Sequence, residues 1–121
     1  MAQLVALLST GEGTWGQVSG LIKRGEWEKI IVIGSPYAKN FNVEGAVFDF
    51  VEVDLNKPLV SLKKELTEKL TPKLGSDFSS EVALSIASGS GKEHMALISA
   101  LLAIPVGVRF TALTKDGIVF L

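Results

Sequence analysis

A chain of 121 residues with 47% hydrophobic and 21% charged side chains holds one domain's worth of core, which excludes a disordered chain. Twelve Lys and Arg against thirteen Asp and Glu leave a net charge of −1, which argues against a dedicated duplex nucleic-acid binder but permits a small anion held by a few groups. The lack of cysteine and the lone histidine exclude disulfides, thiolate metal sites and cysteine nucleophiles, and leave little scope for a histidine-rich metal centre.

The chain opens on an apolar run, Leu4 to Leu8, of the length and composition of a buried strand. Gly-rich Ser9-Thr10-Gly11-Glu12-Gly13-Thr14 follows, then a helix carrying Trp15, Val18, Leu21 and Ile22 at helical spacing and stopped by Gly25. Lys29 to Gly34 reads as a second buried strand. Ser35 to Gly45 is polar with one short helical turn, and Val47 to Asp54 alternates as a third strand. Pro58 opens a helix with Leu59, Leu62, Leu66 and Leu70 on one face, while Lys63, Lys64, Glu65, Glu68 and Lys69 read as its solvated face. Glu81 to Ala87 is a strand, Ser88 to Gly91 a second small-residue loop, and Lys92 to Ile104 a helix. Val106 to Thr111 and Ile118 to Leu121 form a hairpin about Asp116-Gly117.

This alternation predicts an α/β fold. It is three-layered and Rossmann-like, with a mostly parallel sheet of about six strands and a C-terminal antiparallel hairpin, all in a single domain over residues 1–121. No apolar run approaches the ~20 residues that span a bilayer, and Met1-Ala2-Gln3-Leu4 lacks the pattern of a signal peptide, so a cytoplasmic protein is expected. From Met95 to Ile104 the last helix has one polar residue, Ser99. Such a helix needs cover on more than one side, from a neighbouring helix or a second copy; a homodimer is the preferred expectation.

Ligands of open parallel sheets sit beyond the carboxyl ends of the strands, where both small-residue loops fall. Gly11-Glu12-Gly13-Thr14-Trp15-Gly16 matches G-x-G-x-x-G, yet the second strand ends Ile33-Gly34-Ser35-Pro36 without the acid that holds a ribose, and Glu12 would face a pyrophosphate. Ser88-Gly89-Ser90-Gly91-Lys92 echoes a P-loop but has Ile86 for its first glycine and Glu93 in place of the Ser or Thr that binds magnesium. Capping alone accounts for part of both loops, since Thr14…Gln17 and Ser90…Glu93 each fit S/T-x-x-E/Q. It leaves Ser9, Thr10, Gly11, Ser88, Gly89, Lys92 and His94 unassigned. Lys92 opposes the helix dipole, an arrangement that favours a bound anion, and an acid there would stabilise an empty site. His94 reads either as a packing residue or as a hydrogen-bonding group for a phosphate or base.

These elements resemble the CARF family, the Rossmann-like sensor domains associated with CRISPR systems. The likeness is carried by Leu8-Ser9-Thr10-Gly11, by Ser88 to Leu97 and by the closing hairpin. A common family form of the second motif is Gly-Gly-Thr-Lys-x-Met; here Ser90-Gly91-Lys92 is followed by one extra residue before Met95. The resemblance implies a homodimer that binds a cyclic oligoadenylate across its two-fold axis. In it Gly11, Gly13, Gly89 and Gly91 would give backbone access and Lys92 would neutralise phosphate, while Ser9, Thr10, Ser88, Ser90 and His94 lie within reach of the ligand. Cleavage, if any, would be that of a ring nuclease without metal; no cofactor or metal is expected. A generic nucleotide-binding module and a non-enzymatic interaction protein stand as alternatives.

Overall fold

The computed structural model describes residues 2–9, 11–74 and 81–121, with only the backbone at Glu12. Its strands are β1 (Ala2–Leu8), β2 (Trp27–Gly34), β3 (Asp49–Glu52), β4 (Glu81–Ser85), β5 (Gly107–Thr114) and β6 (Gly117–Phe120). Its helices are α1 (Trp15–Arg24), α2 (Leu59–Leu74) and α3 (Gly91–Leu102), with short 3-10 turns at Glu12–Thr14 and Pro36–Asn40. The sheet order is β3-β2-β1-β4-β5-β6, parallel throughout except for the β5–β6 hairpin, as the alternation of elements predicted.

Both faces of the sheet are covered, which explains why β1 is a continuous apolar run: Leu4 to Leu8 are at most 1% exposed. Leu4, Ala6 and Leu8 pack with Val18, Leu21 and Ile22 of α1, whereas Val5 and Leu7 pack under Leu62, Leu66 and Leu70 of α2 and Leu97 and Leu101 of α3. No helix among the described residues is long and apolar enough to cross a membrane.

Several boundaries differ from the sequence reading. The third strand is only Asp49–Glu52, shorter than Val47 to Asp54, and β4 stops at Ser85 rather than Ala87. The second helix runs past Leu70, through Pro72 to Leu74, whose side chain is buried. The segment expected to be merely polar buries Ala38, Phe41 and Val43 in the α1-side core, and Phe41 meets Trp15 edge-on at 5.8 Å. It fills the layer that a crossover helix between β2 and β3 would otherwise supply. The last helix obtains part of its cover from α2, a neighbour within the same chain, and still leaves Met95 and Leu102 exposed.

Candidate functional site

The strand order reverses between β1 and β4. From β1 the chain moves outward through β2 and β3, and β4 then starts on the other side of β1. The loops that follow these two neighbours diverge to opposite faces, one to α1 and one to α3, which is the arrangement that opens a ligand crevice in doubly wound sheets.

Side chains tie the two loops together. The buried Ser88 hydroxyl accepts from the Ser9 N–H at 2.8 Å and donates to the Ser9 Oγ at 2.9 Å; Ser9 Oγ in turn accepts from the Gly11 N–H at 3.1 Å. The indole N–H of Trp15 donates to the Ser9 carbonyl at 3.0 Å. On the other loop His94 Nε2 lies 2.8 Å from the Ser88 carbonyl; an acceptor-only partner requires the hydrogen on Nε2 and leaves Nδ1 as the acceptor of the neutral ring. Gly89 has φ +110°, and an added Cβ would lie 2.6 Å from Leu7 Cδ2 and 3.0 Å from His94 Nε2, so the turn requires glycine for reasons internal to the fold.

The two capping patterns part company. Ser90 has extended backbone (φ −105°, ψ 169°) and forms the reciprocal box with Glu93, whose Oε1 accepts from the Ser90 N–H at 2.9 Å. Thr14 follows a 3-10 turn in helical backbone (φ −98°, ψ −4°) and makes no side-chain cap; its hydroxyl donates to the Gly11 carbonyl at 3.1 Å. The expected Thr14…Gln17 box is therefore not formed.

The fold also gives Lys92 a structural partner set. Its ammonium donates to the carbonyls of Leu55 at 2.9 Å and Lys57 at 2.8 Å, fastening the β3–α2 loop to the start of α3. The opposed dipole no longer requires a bound anion to explain it, and one of the three ammonium hydrogens remains for another acceptor. Gly13 and Gly91 face open space, with no atom within 4 Å of an added Cβ. The structure thus gathers Ser9, Gly11, Ser88, Gly89 and His94 into one hydrogen-bonded or packed cluster, with Ser90, Gly91 and Lys92 at the adjoining helix start. Thr10 lies outside the described residues.

A feature absent from the sequence reading lies one crossover away. A cavity of about 370 Å³ opens beside the carboxyl end of β3, lined by Pro36, Glu52, Val53, Asp54, Glu65 and Lys69. Glu65 and Lys69 do not simply face solvent. Glu65 accepts from the Asp54 N–H at 3.3 Å and pairs with Lys69 at 3.2 Å and Lys57 at 3.5 Å, while Lys69 donates to the Glu52 carbonyl at 2.5 Å. Burial raises the Glu65 pKa, but the Asp54 hydrogen bond and the two lysines outweigh it and hold the carboxyl below its usual range. The charge alternation of α2 signalled a surface helix; the pairing of Glu65 with a loop eleven residues upstream had no local signal. Among the described residues, no three His, Asp or Glu side chains gather as a metal-ligand set would require.

No protein-family model matches the chain, nor does any curated protein. Among solved structures it is similar to protein VC1899 from Vibrio cholerae, with a TM-score of 0.63 and 15% identity over 99% of this chain. The chain spans about a third of that protein, 33% of its length. At this identity the likeness is one of fold, and it supports the Rossmann-like α/β architecture reached from the strand order.

Proposed function

We propose that the chain is a CARF-like sensor domain that works as a homodimer and binds a cyclic oligoadenylate at the paired β1–α1 and β4–α3 loops of two subunits. The observation that carries this reading is the Ser9–Ser88 bridge, which locks the two loops together at the strand-order reversal while Gly13 and Gly91 stay open beside it. Open glycines let a phosphate approach backbone N–H groups at a helix start, and the remaining Lys92 hydrogen supplies a charged donor. The reading commits to binding. Turnover would need only a ribose 2′-hydroxyl aligned in line with its phosphate, with Lys92 facing the developing charge.

Thermal unfolding with cyclic and linear oligoadenylates, mononucleotides and NAD tests it. A ligand at ~100 times its Kd adds about 2.7 kcal/mol, or roughly 10 °C in the midpoint of a domain this size. The expected result is a shift with one cyclic oligoadenylate that Gly91→Ala abolishes without lowering the midpoint of the free protein, because the added methyl meets open space. A shift with mononucleotides or NAD alone would favour a generic nucleotide module. No shift at all would favour an interaction protein, for which the Ser90–Glu93 box and the Lys92 contacts are simply structural.

A further inference from the structure

A line of aromatic rings runs from the α1-side core to the surface beside the candidate site. Phe48 and Phe41 lie 5.6 Å apart between ring centroids, Phe41 meets Trp15 edge-on at 5.8 Å, and Trp15 meets Tyr37 edge-on at 6.2 Å. Phe41 is buried and Trp15 and Phe48 are half-buried, so these three rings belong to the core. Tyr37 ends the line at 53% exposure. An edge-on contact occupies one face of a ring or one edge of it, so Tyr37 keeps at least one face open.

The fold fixes where that face stands. Leu8 pairs with Gly34, so Ser9 and Ser35 leave neighbouring strands side by side at the carboxyl end of the sheet. The turn after β2 is pinned: Pro36 opens it with a fixed φ, the Ala38 N–H donates to the Ser35 carbonyl at 2.9 Å, and Ala38 and Phe41 are buried beneath it. Trp15 is held as firmly, because its indole N–H donates to the Ser9 carbonyl. Two contacts, Tyr37 to Trp15 and Trp15 to Ser9, thus join an open aromatic face to the loop that the Ser88 hydroxyl ties to the β4–α3 loop.

We propose that Tyr37 is a stacking platform for a nucleobase, its ring steadied by Trp15, and that the base belongs to the nucleotide whose phosphate the β1–α1 and β4–α3 loops would take. The proposal rests on the proposed function for the phosphate and adds to it the residue that receives the base. Open glycines and the Lys92 ammonium suit any small anion, whereas a flat exposed ring beside them selects an anion that carries an aromatic group. Stacking needs a free face and no hydrogen-bonding partner, and the nearby cation matches that: Lys39 is already paired with Glu52 at 2.8 Å. Every base has such a face, so Tyr37 reads the presence of a base and not which base it is.

Titration calorimetry tests this with cyclic oligoadenylates of several ring sizes, adenosine monophosphate and inorganic phosphate, on the wild type and on Tyr37→Ala, Tyr37→Leu and Tyr37→Phe. Tyr37→Ala and Tyr37→Leu are expected to bind the base-bearing ligands at least about 5-fold more weakly, the low end of what losing one stacked base costs, with circular dichroism unchanged. Tyr37→Phe should keep the wild-type affinity because the ring remains, and inorganic phosphate should not distinguish the four proteins. A cyclic oligoadenylate bound equally by the wild type and Tyr37→Ala overturns the platform and leaves the proposed function standing. Full affinity in Tyr37→Leu overturns it too, since apolar cover would then serve in place of stacking. Binding of adenosine monophosphate alone, weakened in Tyr37→Ala, upholds the platform and overturns the oligoadenylate. Absence of binding by every nucleotide overturns both.

Discussion

At the start of α3, Lys92 places a positive charge where the dipole disfavours it by about 0.3–1 kcal/mol. Two hydrogen bonds from its ammonium to Leu55 and Lys57 offset that cost, since charge-assisted bonds contribute about 1.5–3 kcal/mol before side-chain ordering is counted. Lys92→Met is therefore expected to lower stability by about 1–2 kcal/mol, and Lys92→Glu by more, because the carboxylate would meet two carbonyl oxygens. Chemical denaturation of the ligand-free variants checks this; a gain in stability for Lys92→Glu would restore the dipole argument drawn from the sequence. The partners stand 37 and 35 residues upstream, so a reading of neighbours along the chain had no access to them. The Ser90 box, whose members are three residues apart, was legible; the Thr14 box had the same letters but lacked the extended backbone that a cap needs.

Helix α2 connects the sheet edge to the candidate site through Glu65. Its carboxylate holds the Asp54 N–H, and the loop just beyond Asp54 offers the carbonyls that Lys92 takes. A carboxyl whose pKa is depressed on folding stabilises the fold fully above its unfolded pKa, and that contribution is lost as pH falls through the folded value. Glu65→Gln should thus cost about 0.5–1 kcal/mol at pH 7, where the pairs are partly screened, and progressively less as the pH falls through the folded pKa. Urea unfolding of both proteins across this range measures it, and a difference independent of pH would show that packing rather than charge is lost. The elements themselves were readable because each has its own period: leucines every three or four residues on α2, uninterrupted apolar runs in β1 and β2. Their ends were less so. The strand expected over Val47 to Asp54 stays short because β3 pairs only through Asp49 to Glu52, and pairing is a property of its neighbour β2.

Across the whole molecule, burial rather than local propensity sets the order of stability. β1 and β4 lie between two layers of helices, and β1 is hydrogen-bonded on both sides, to β2 and β4. The edges are treated differently. β3 carries Asp49 and Glu52, paired with Lys73 and Lys39, charges that discourage a foreign strand, whereas β6 is Gly117-Ile118-Val119-Phe120 with none. The antiparallel alternation that turns the Leu121 N–H toward β5 turns the N–H groups of Ile118 and Phe120 outward. Amides of Leu4 to Leu8 and Ile31 to Ile33 should therefore exchange with deuterium only through global unfolding, and those of Ile118 and Phe120 within the fastest class. The proposed site needs the loops of both copies at one end of the assembly, so raising the protein concentration should leave these two amides fast. Protection of Ile118 and Phe120 that grows with concentration would instead place the subunit contact at the strand edge, with the two sheets joined as one. That arrangement turns the carboxyl ends of the two parallel sheets in opposite directions, and it would separate the loops that the proposed site brings together.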